Sequence, residues 1–132
     1  VWAGCVTSNN AETLQFLRQS GTTHLSWSSQ ARGYFLPEPL RARLPADVGP
    51  EECFGSPANA ERRRRAEALA VKYGVSAHNI ATAWVLAQEF PSFALIGPRS
   101  ADEIATILPA FGFDLTSDEV GWLNLESGQG PA

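Results

Sequence analysis

The sequence predicts an α/β fold built from parallel βα units, and a (β/α)8 TIM barrel is the best candidate for the whole domain. Helical patterns alternate with two short strand patterns along the chain, which is typical of a parallel sheet covered by helices. Two parallel strands cannot bury both of their faces and both of their edges by themselves. Eight such units need about 250 residues, whereas this chain has 132. We therefore expect a partial barrel.

Composition excludes several classes of protein. Hydrophobic residues make up 44% of the chain and charged residues 18%, which favours a packed core over disorder. The net charge of −4 argues against general nucleic-acid binding. The two cysteines, Cys5 and Cys53, match no metal or redox spacing and indicate a reducing compartment, the cytoplasm. No apolar run reaches the roughly 18 residues of a membrane span, so we expect neither a metal nor a membrane partner.

The first part of the chain is expected to contain a helix, a strand and a long loop. Asn10 can cap a short helix that ends near Gly21. Residues 22–28 alternate in polarity, which predicts a strand. Residues 33–56 are rich in proline and lack periodicity, so they predict a long loop. Loops of this length in compact domains are usually functional or mobile.

Two helices are expected next. Ser56 followed by Pro57 begins a helix that Gly74 ends. Ser76 begins a second helix, which stops before Pro91. Each helix has apolar residues at i, i+3, i+4 and i+7, which predicts one buried face. These residues are Ala66, Leu69, Ala70 and Tyr73 in the first helix, and Ile80, Ala83, Trp84 and Ala87 in the second.

The C-terminal part predicts a buried strand followed by two helices. The strand is the apolar run over residues 93–97. Ser100 and Glu103 have capping-box spacing and begin a helix that Pro109 must kink or shorten. The buried stripe of this helix is expected to consist of Ile104, Ile107, Leu108 and Phe111. A second capping box over residues 116–119 begins the last helix.

The junction between the second strand and its helix predicts an anion site. The strand leads through Gly97, Pro98 and Arg99 into the helix that follows Ser100. The free N–H groups and the positive dipole end of that helix would then lie beside a guanidinium group. This arrangement favours an anion, most often a phosphate.

Three segments resemble motifs of the aldo-keto reductases, in the order and spacing of that family. They are Trp27-Ser28-Ser29-Gln30-Ala31-Arg32-Gly33-Tyr34-Phe35, the block from Val75 to Gln88, and Leu95-Ile96-Gly97-Pro98-Arg99. The resemblance extends from about Val1 to Glu126 and implies a (β/α)8 barrel that uses NADPH to reduce aldehydes and ketones. On this match, residues 1–132 are the C-terminal fragment, with only the last two βα units and a stub after the sixth strand. The absence of an initiator Met also leads us to expect that the true N-terminus lies upstream.

The resemblance assigns cofactor contacts to individual positions. Trp27 matches an aromatic ring that stacks on the nicotinamide. The loop that holds the pyrophosphate corresponds to Ser28, Ser29, Gln30 and Arg32. The positions that hold the 2′-phosphate of the adenosine ribose correspond to Gly97, Arg99 and Ser100, and Glu103 matches a residue beside the adenine. Ile107 departs from the pattern, because many members carry an asparagine there that contacts adenine.

No catalytic residue is assigned in this chain. The family uses a tyrosine acid with a lysine, an aspartate and a histidine, all from the first half of the barrel. Tyr34 lies in the loop after the first predicted strand and Tyr73 on a buried helix stripe, so neither is a substitute. The resemblance therefore implies a small-molecule carbonyl substrate for the intact protein and an inactive fragment. The oligomeric state stays open.

Two other functions remain as alternatives. Residues 66–85 have the helix-turn-helix order of a DNA-binding module, although the second helix is apolar on most of its surface. The four arginines 62–65 would spread around a helix rather than form one basic face. A non-catalytic nucleotide-binding scaffold of the same fold is equally compatible with these residues. His24 and His78 are expected to be ordinary surface or capping histidines.

Overall fold

The computed structural model describes residues 10–44 and 49–131. Two strands, β1 (His24–Ser26) and β2 (Ser92–Ala94), pair in parallel, with Leu25 opposite Phe93. The helices are α1 (Ala11–Ser20), α2 (Glu38–Arg41), α3 (Pro50–Phe54), α4 (Pro57–Tyr73), α5 (Ala77–Leu86), α6 (Ala101–Ile107) and α7 (Ser117–Leu123). The order is that of an α/β chain in which α4 and α5 connect two parallel strands.

Local capping signals begin and end most helices where the sequence predicts. The Asn10 side chain accepts a hydrogen bond from the N–H of Thr13, and Gly21 ends α1 with φ 65°. Ser56 and Ser76 cap α4 and α5 in the same way. The capping box over residues 116–119 begins α7 with both of its hydrogen bonds present. Each of these bonds joins residues three positions apart, so it depends on little else in the fold.

The core lies between α4, α5 and α7. It consists of Ala66, Leu69, Ala70, Ala77, Ile80, Ala83, Leu115, Trp122 and Leu123. The predicted stripes of α4 and α5 supply most of these residues. Helix α5 also packs against β2, so it covers one face of the two-stranded sheet.

No element of the described residues covers the opposite face of the sheet. The paired side chains of Leu25 and Phe93 are 58% and 56% exposed. The prediction that residues 93–97 form a buried strand is therefore wrong: β2 ends at Ala94 and its central side chain faces outward. The physical reason is that, among residues 10–44 and 49–131, α5 packs on one face of the two strands, whereas hydrophobic patterning alone suggested two covered faces.

The long loop over residues 33–56 contains two short helices, α2 and α3, that the sequence did not predict; residues 45–48 lie outside the described part. Side chains from this segment are held on α4. The guanidinium of Arg63 lies 2.8 Å from Glu51 and 4.6 Å from the centre of the Tyr34 ring. The described parts of the loop are thus anchored to the helix layer.

The expected buried stripe of α6 is wrong in three of its four residues. Only Ile107 is buried, whereas Ile104, Leu108 and Phe111 are exposed. The helix ends at Ile107, and a 3-10 turn that contains Pro109 follows it. This shortening was predicted from the proline. The tighter turn changes the angular spacing of the side chains after Ile107, so Leu108 and Phe111 no longer share the face of Ile107.

The helix-turn-helix alternative is not supported by the packing of α4 and α5. Eight of the ten residues of α5 are buried, whereas a recognition helix must offer its side chains to base edges. Each arginine has a partner within the chain: Arg62 contacts the Asn124 carbonyl, Arg63 contacts Glu51, and Arg64 and Arg65 share Glu61. They form no single basic face, as predicted.

Over residues 10–44 and 49–131, no helix is long and apolar enough to cross a membrane. The same residues contain no group of three or more His, Cys, Asp or Glu side chains placed to hold a metal ion. Cys53 is a free, buried thiol; Cys5 lies outside the described residues.

Candidate functional site

A cleft of about 330 Å³ lies at the carboxyl ends of β1 and β2. The loop after β1 forms one side, and the segment that joins β2 to α6 forms the other. Seven of the nine residues proposed from the sequence line this cleft: Ser28, Ser29, Gln30, Arg32, Gly97, Arg99 and Glu103. The fold thus brings together two segments that lie about seventy positions apart in the chain.

Hydrogen bonds join the two sides of the cleft to each other and to α5. The hydroxyl of Ser29, which is buried, donates to the carbonyl of Leu95 over 2.8 Å. The side-chain amide of Gln30 donates to the hydroxyl of Thr82 on α5 over 3.3 Å. These bonds fix the orientation of both side chains. Part of their hydrogen-bonding capacity is therefore already satisfied within the chain.

The backbone of the loop after β1 is strained. Ser28, Ala31 and Arg32 have φ values of 54°, 47° and 53°, in the left-handed region that non-glycine residues seldom adopt. Each such residue costs about 1 kcal/mol or more. Strain of this kind is concentrated at ligand clamps and active sites in proteins.

We expect Gly33→Ala to lower the free energy of unfolding by about 1–2 kcal/mol. Gly33 has φ 86°, and a Cβ atom there would lie 2.8 Å from Leu44 and 3.0 Å from Leu36. Chemical denaturation followed by circular dichroism measures the effect. Gly128→Ala is the matched control, because no atom lies within 4 Å of the added Cβ. An equal decrease in the free energy of unfolding of both variants would contradict the prediction that a side chain at Gly33 is strained.

At the anion site predicted for the start of α6, a carboxylate of the chain already contacts Arg99. The side chain of Glu103 accepts a hydrogen bond from the backbone N–H of Arg99 over 2.6 Å. Its other oxygen lies 3.7 Å from Nε of Arg99. Only half of the predicted capping box forms: Ser100 accepts from the N–H of Glu103, while the carboxylate reaches Arg99 and not Ser100. Arg99 is exposed, so its guanidinium can leave this pair for a stronger anion.

Trp27 and Ser100 are not among the residues that line the cleft. Trp27 directly follows β1 and is 85% exposed. It lies in the turn that follows the last residue of the strand. Ser100 is held by its capping bond at the start of α6. The structure therefore places these two residues beside the cleft and not inside it.

His78 lines the cleft and was missed by the sequence analysis, which expected an ordinary surface or capping histidine. The residue is only 8% exposed, and its Nδ1 has no hydrogen-bond partner among the residues that the structure describes. Burial lowers the pKa of His78 below its usual value, so the ring is neutral near pH 7. A sequence signal existed, because His78 and Thr82 are polar residues one turn apart in a helix whose other residues, apart from Asn79, are apolar.

Both tyrosines of the chain lie away from the cleft lining. Tyr34 is buried beneath Arg63, and burial is the main reason that its pKa is raised. Burial and a 2.7 Å hydrogen bond to Glu119 raise the pKa of Tyr73 to about 12. Neither hydroxyl is placed to protonate a ligand in the cleft.

Comparison with known proteins adds one match. The family model described as "Aldo/keto reductase family" matches residues 5–124. A search of curated proteins found no match.

Proposed function

The chain belongs to the aldo/keto reductase family, an oxidoreductase family whose members generally use NAD(P)H, and we propose that it supplies the NADPH-binding part of an enzyme that reduces aldehydes or ketones. The observation that carries the proposal is the convergence of residues 28–32 and 97–103 on one cleft. The family resemblance assigned these segments to one ligand, although they are far apart in sequence.

The described fold supports the further proposal that the chain forms the last two βα units of a (β/α)8 barrel. The two strands are parallel and joined through helices. Leu25 and Phe93 face away from α5, on the side that would be the barrel interior. The cleft opens at the carboxyl ends of the strands, where barrel enzymes carry their active sites.

The residues present fit a phosphorylated dinucleotide. Arg99 would hold the 2′-phosphate through a charge-assisted hydrogen bond, which is about twice as strong as a neutral one. Ser28, Gln30 and Arg32 would hold the pyrophosphate, while the exposed ring of Trp27 would stack on the nicotinamide. Glu103 would have to release the guanidinium of Arg99 before a dianion could bind there.

The chemistry of such an enzyme is divided between the cofactor and the protein. The nicotinamide, when bound, supplies the hydride that reduces a carbonyl carbon. The residues of this chain would bind and orient the cofactor. The acid that protonates the carbonyl oxygen is not assigned among them, since Tyr34 and Tyr73 have other partners.

Ligand titration and activity assays on the full-length protein test this function. We expect saturable binding of NADPH, followed by fluorescence, and NADPH-dependent reduction of members of a panel of aldehydes and ketones. The 132-residue chain alone is expected to show no turnover. Binding without any turnover by the full-length protein would favour the non-catalytic scaffold. Absence of binding to both NADPH and NADH would exclude the proposed function.

A further inference from the structure

One buried polar atom in the cleft lacks a partner. Among the described residues, the buried side-chain atoms without a hydrogen-bond partner are His78 Nδ1, Glu119 Oε1 and Trp122 Nε1. Glu119 Oε1 lies 3.3 Å from the ammonium of Lys72, and Trp122 belongs to the core. Only His78 lines the cleft. Because buried polar atoms are nearly always paired in native proteins, this atom indicates a ligand contact.

His78 is held in its place through its backbone and its neighbour in the chain. It lies in the first turn of α5, and the adjacent Asn79 donates hydrogen bonds to the carbonyls of Thr106 and Ile107 at the end of α6. The hydroxyl of Thr82, one turn later, donates to the carbonyl of His78 over 3.0 Å. The bonds of Asn79 join the first turn of α5 to the end of α6, so the backbone that carries the imidazole is fixed while the ring keeps its own torsions.

The rest of the cleft favours a flat ring with apolar faces and a polar edge. Its apolar lining consists of Leu36, Leu44, Leu95, Pro98 and Ile107. Ile107 is 4% exposed and offers no side-chain hydrogen bond. A neutral imidazole has one donor and one acceptor nitrogen, which suits the edge of a nucleobase better than it suits a phosphate.

We propose that His78 Nδ1 hydrogen-bonds the edge of the adenine ring and so selects the base of the cofactor. This inference rests on the proposed function. The 2′-phosphate is attached to the adenosine ribose, so a ligand held by Arg99 brings its adenine into the cleft that His78 shares with Arg99. Because Nδ1 is buried, the ring edge reaches it when the imidazole turns about its Cβ–Cγ bond, a torsion with broad energy wells.

The test compares cofactor fragments in wild type and variants of the full-length protein. We expect His78→Leu to weaken NADPH and 2′,5′-ADP about tenfold, because one hydrogen bond to a buried group is lost. The reduced nicotinamide mononucleotide, which lacks adenine, should bind unchanged. His78→Asn, which keeps a hydrogen-bonding group, should restore most of the affinity. His24→Leu, which alters a histidine on β1, is the control, and thermal melting shows whether each variant is folded.

Replacing adenine by hypoxanthine in the cofactor separates base recognition from a merely structural role. Wild type should bind the hypoxanthine analogue of NADPH more weakly than NADPH, and His78→Leu should lose this preference. An unchanged preference in a folded His78→Leu variant would overturn the inference while leaving the proposed function intact. Failure of wild type to bind NADPH or 2′,5′-ADP would overturn both.

Discussion

Arg99→Ala in the full-length protein is expected to weaken NADPH binding by about tenfold to a hundredfold, which corresponds to roughly 1.4–2.7 kcal/mol. NADH binding should change little, because NADH lacks the 2′-phosphate that the guanidinium would hold. Dissociation constants for both cofactors, measured by fluorescence titration at one fixed ionic strength, give the result. Equal weakening of both cofactors would show that Arg99 does not read the 2′-phosphate.

The contact between Glu103 and Arg99 influences how much NADPH affinity the Arg99→Ala variant loses. The carboxylate takes a hydrogen bond from the Arg99 backbone and lies near its guanidinium. A 2′-phosphate dianion must displace this carboxylate from the guanidinium. Part of the attraction between the phosphate and Arg99 therefore only compensates for the lost contact between Glu103 and Arg99. We therefore expect the lower half of the stated range.

Arg64→Ala provides the matched control for Arg99→Ala. Arg64 is also an exposed arginine paired with a nearby glutamate, Glu61, at 2.7 Å. It lies on α4 and is not among the residues that line the cleft. Removing it changes the net charge by the same amount, so a general charge effect on NADPH binding would be seen in both variants. A larger loss of NADPH affinity in Arg99→Ala than in Arg64→Ala would indicate a local contact between Arg99 and the cofactor.

Glu119→Ala is expected to lower the free energy of unfolding by about 2–4 kcal/mol. Glu119 is fully buried and accepts hydrogen bonds from the Thr116 backbone and the Tyr73 hydroxyl, at 2.8 Å and 2.7 Å. Its removal leaves both donors without this acceptor and abolishes the ion pair between Glu119 and Lys72. Denaturant unfolding measures the loss. Asp118→Ala, at the exposed neighbouring position of α7, should cost less than 1 kcal/mol by removing a charge from the first turn.

The pH dependence of stability distinguishes the charge of Glu119 from its packing. Burial by itself raises the pKa of Glu119, but the hydrogen bonds from Thr116, Tyr73 and Lys72 lower it overall. A carboxyl group with a lowered pKa stabilises the fold above its unfolded pKa of about 4.3 and loses this contribution as the pH falls through the folded value. Glu119→Gln should therefore flatten the acid limb of the stability profile. An unchanged acid limb in Glu119→Gln would show that other groups cause the loss of stability at low pH.

At alkaline pH the stability profile changes in the opposite direction, and this change reports on the hydrogen bond between Tyr73 and Glu119. The pKa of Tyr73 is raised to about 12, so the protonated hydroxyl stabilises the fold below the usual value of about 10. That contribution is lost as the pH rises towards 12. Tyr73→Phe should remove this part of the profile. Thr116 and Lys72 would then be the remaining donors to the Glu119 carboxylate.

Much of the local structure could be predicted from the sequence. The starts of α1, α4, α5 and α7 and the glycine ends of α1 and α4 follow from capping bonds between residues three or four positions apart. Such bonds have the same geometry in almost any tertiary setting. The two segments of the cleft could also be named in advance, from their resemblance to family motifs.

The sequence by itself determined most of the helix caps, the alternation of strands and helices, and seven of the residues that line the cleft. Only the tertiary structure decided that Phe93 is exposed, that Glu103 reaches Arg99, and that His78 is buried with an unpaired nitrogen. Burial and side-chain pairing depend on which distant segments pack together, as Ser29 does with Leu95, sixty-six positions along the chain. Local periodicity carries no information about such partners, because the same apolar pattern is compatible with one covered face or with two.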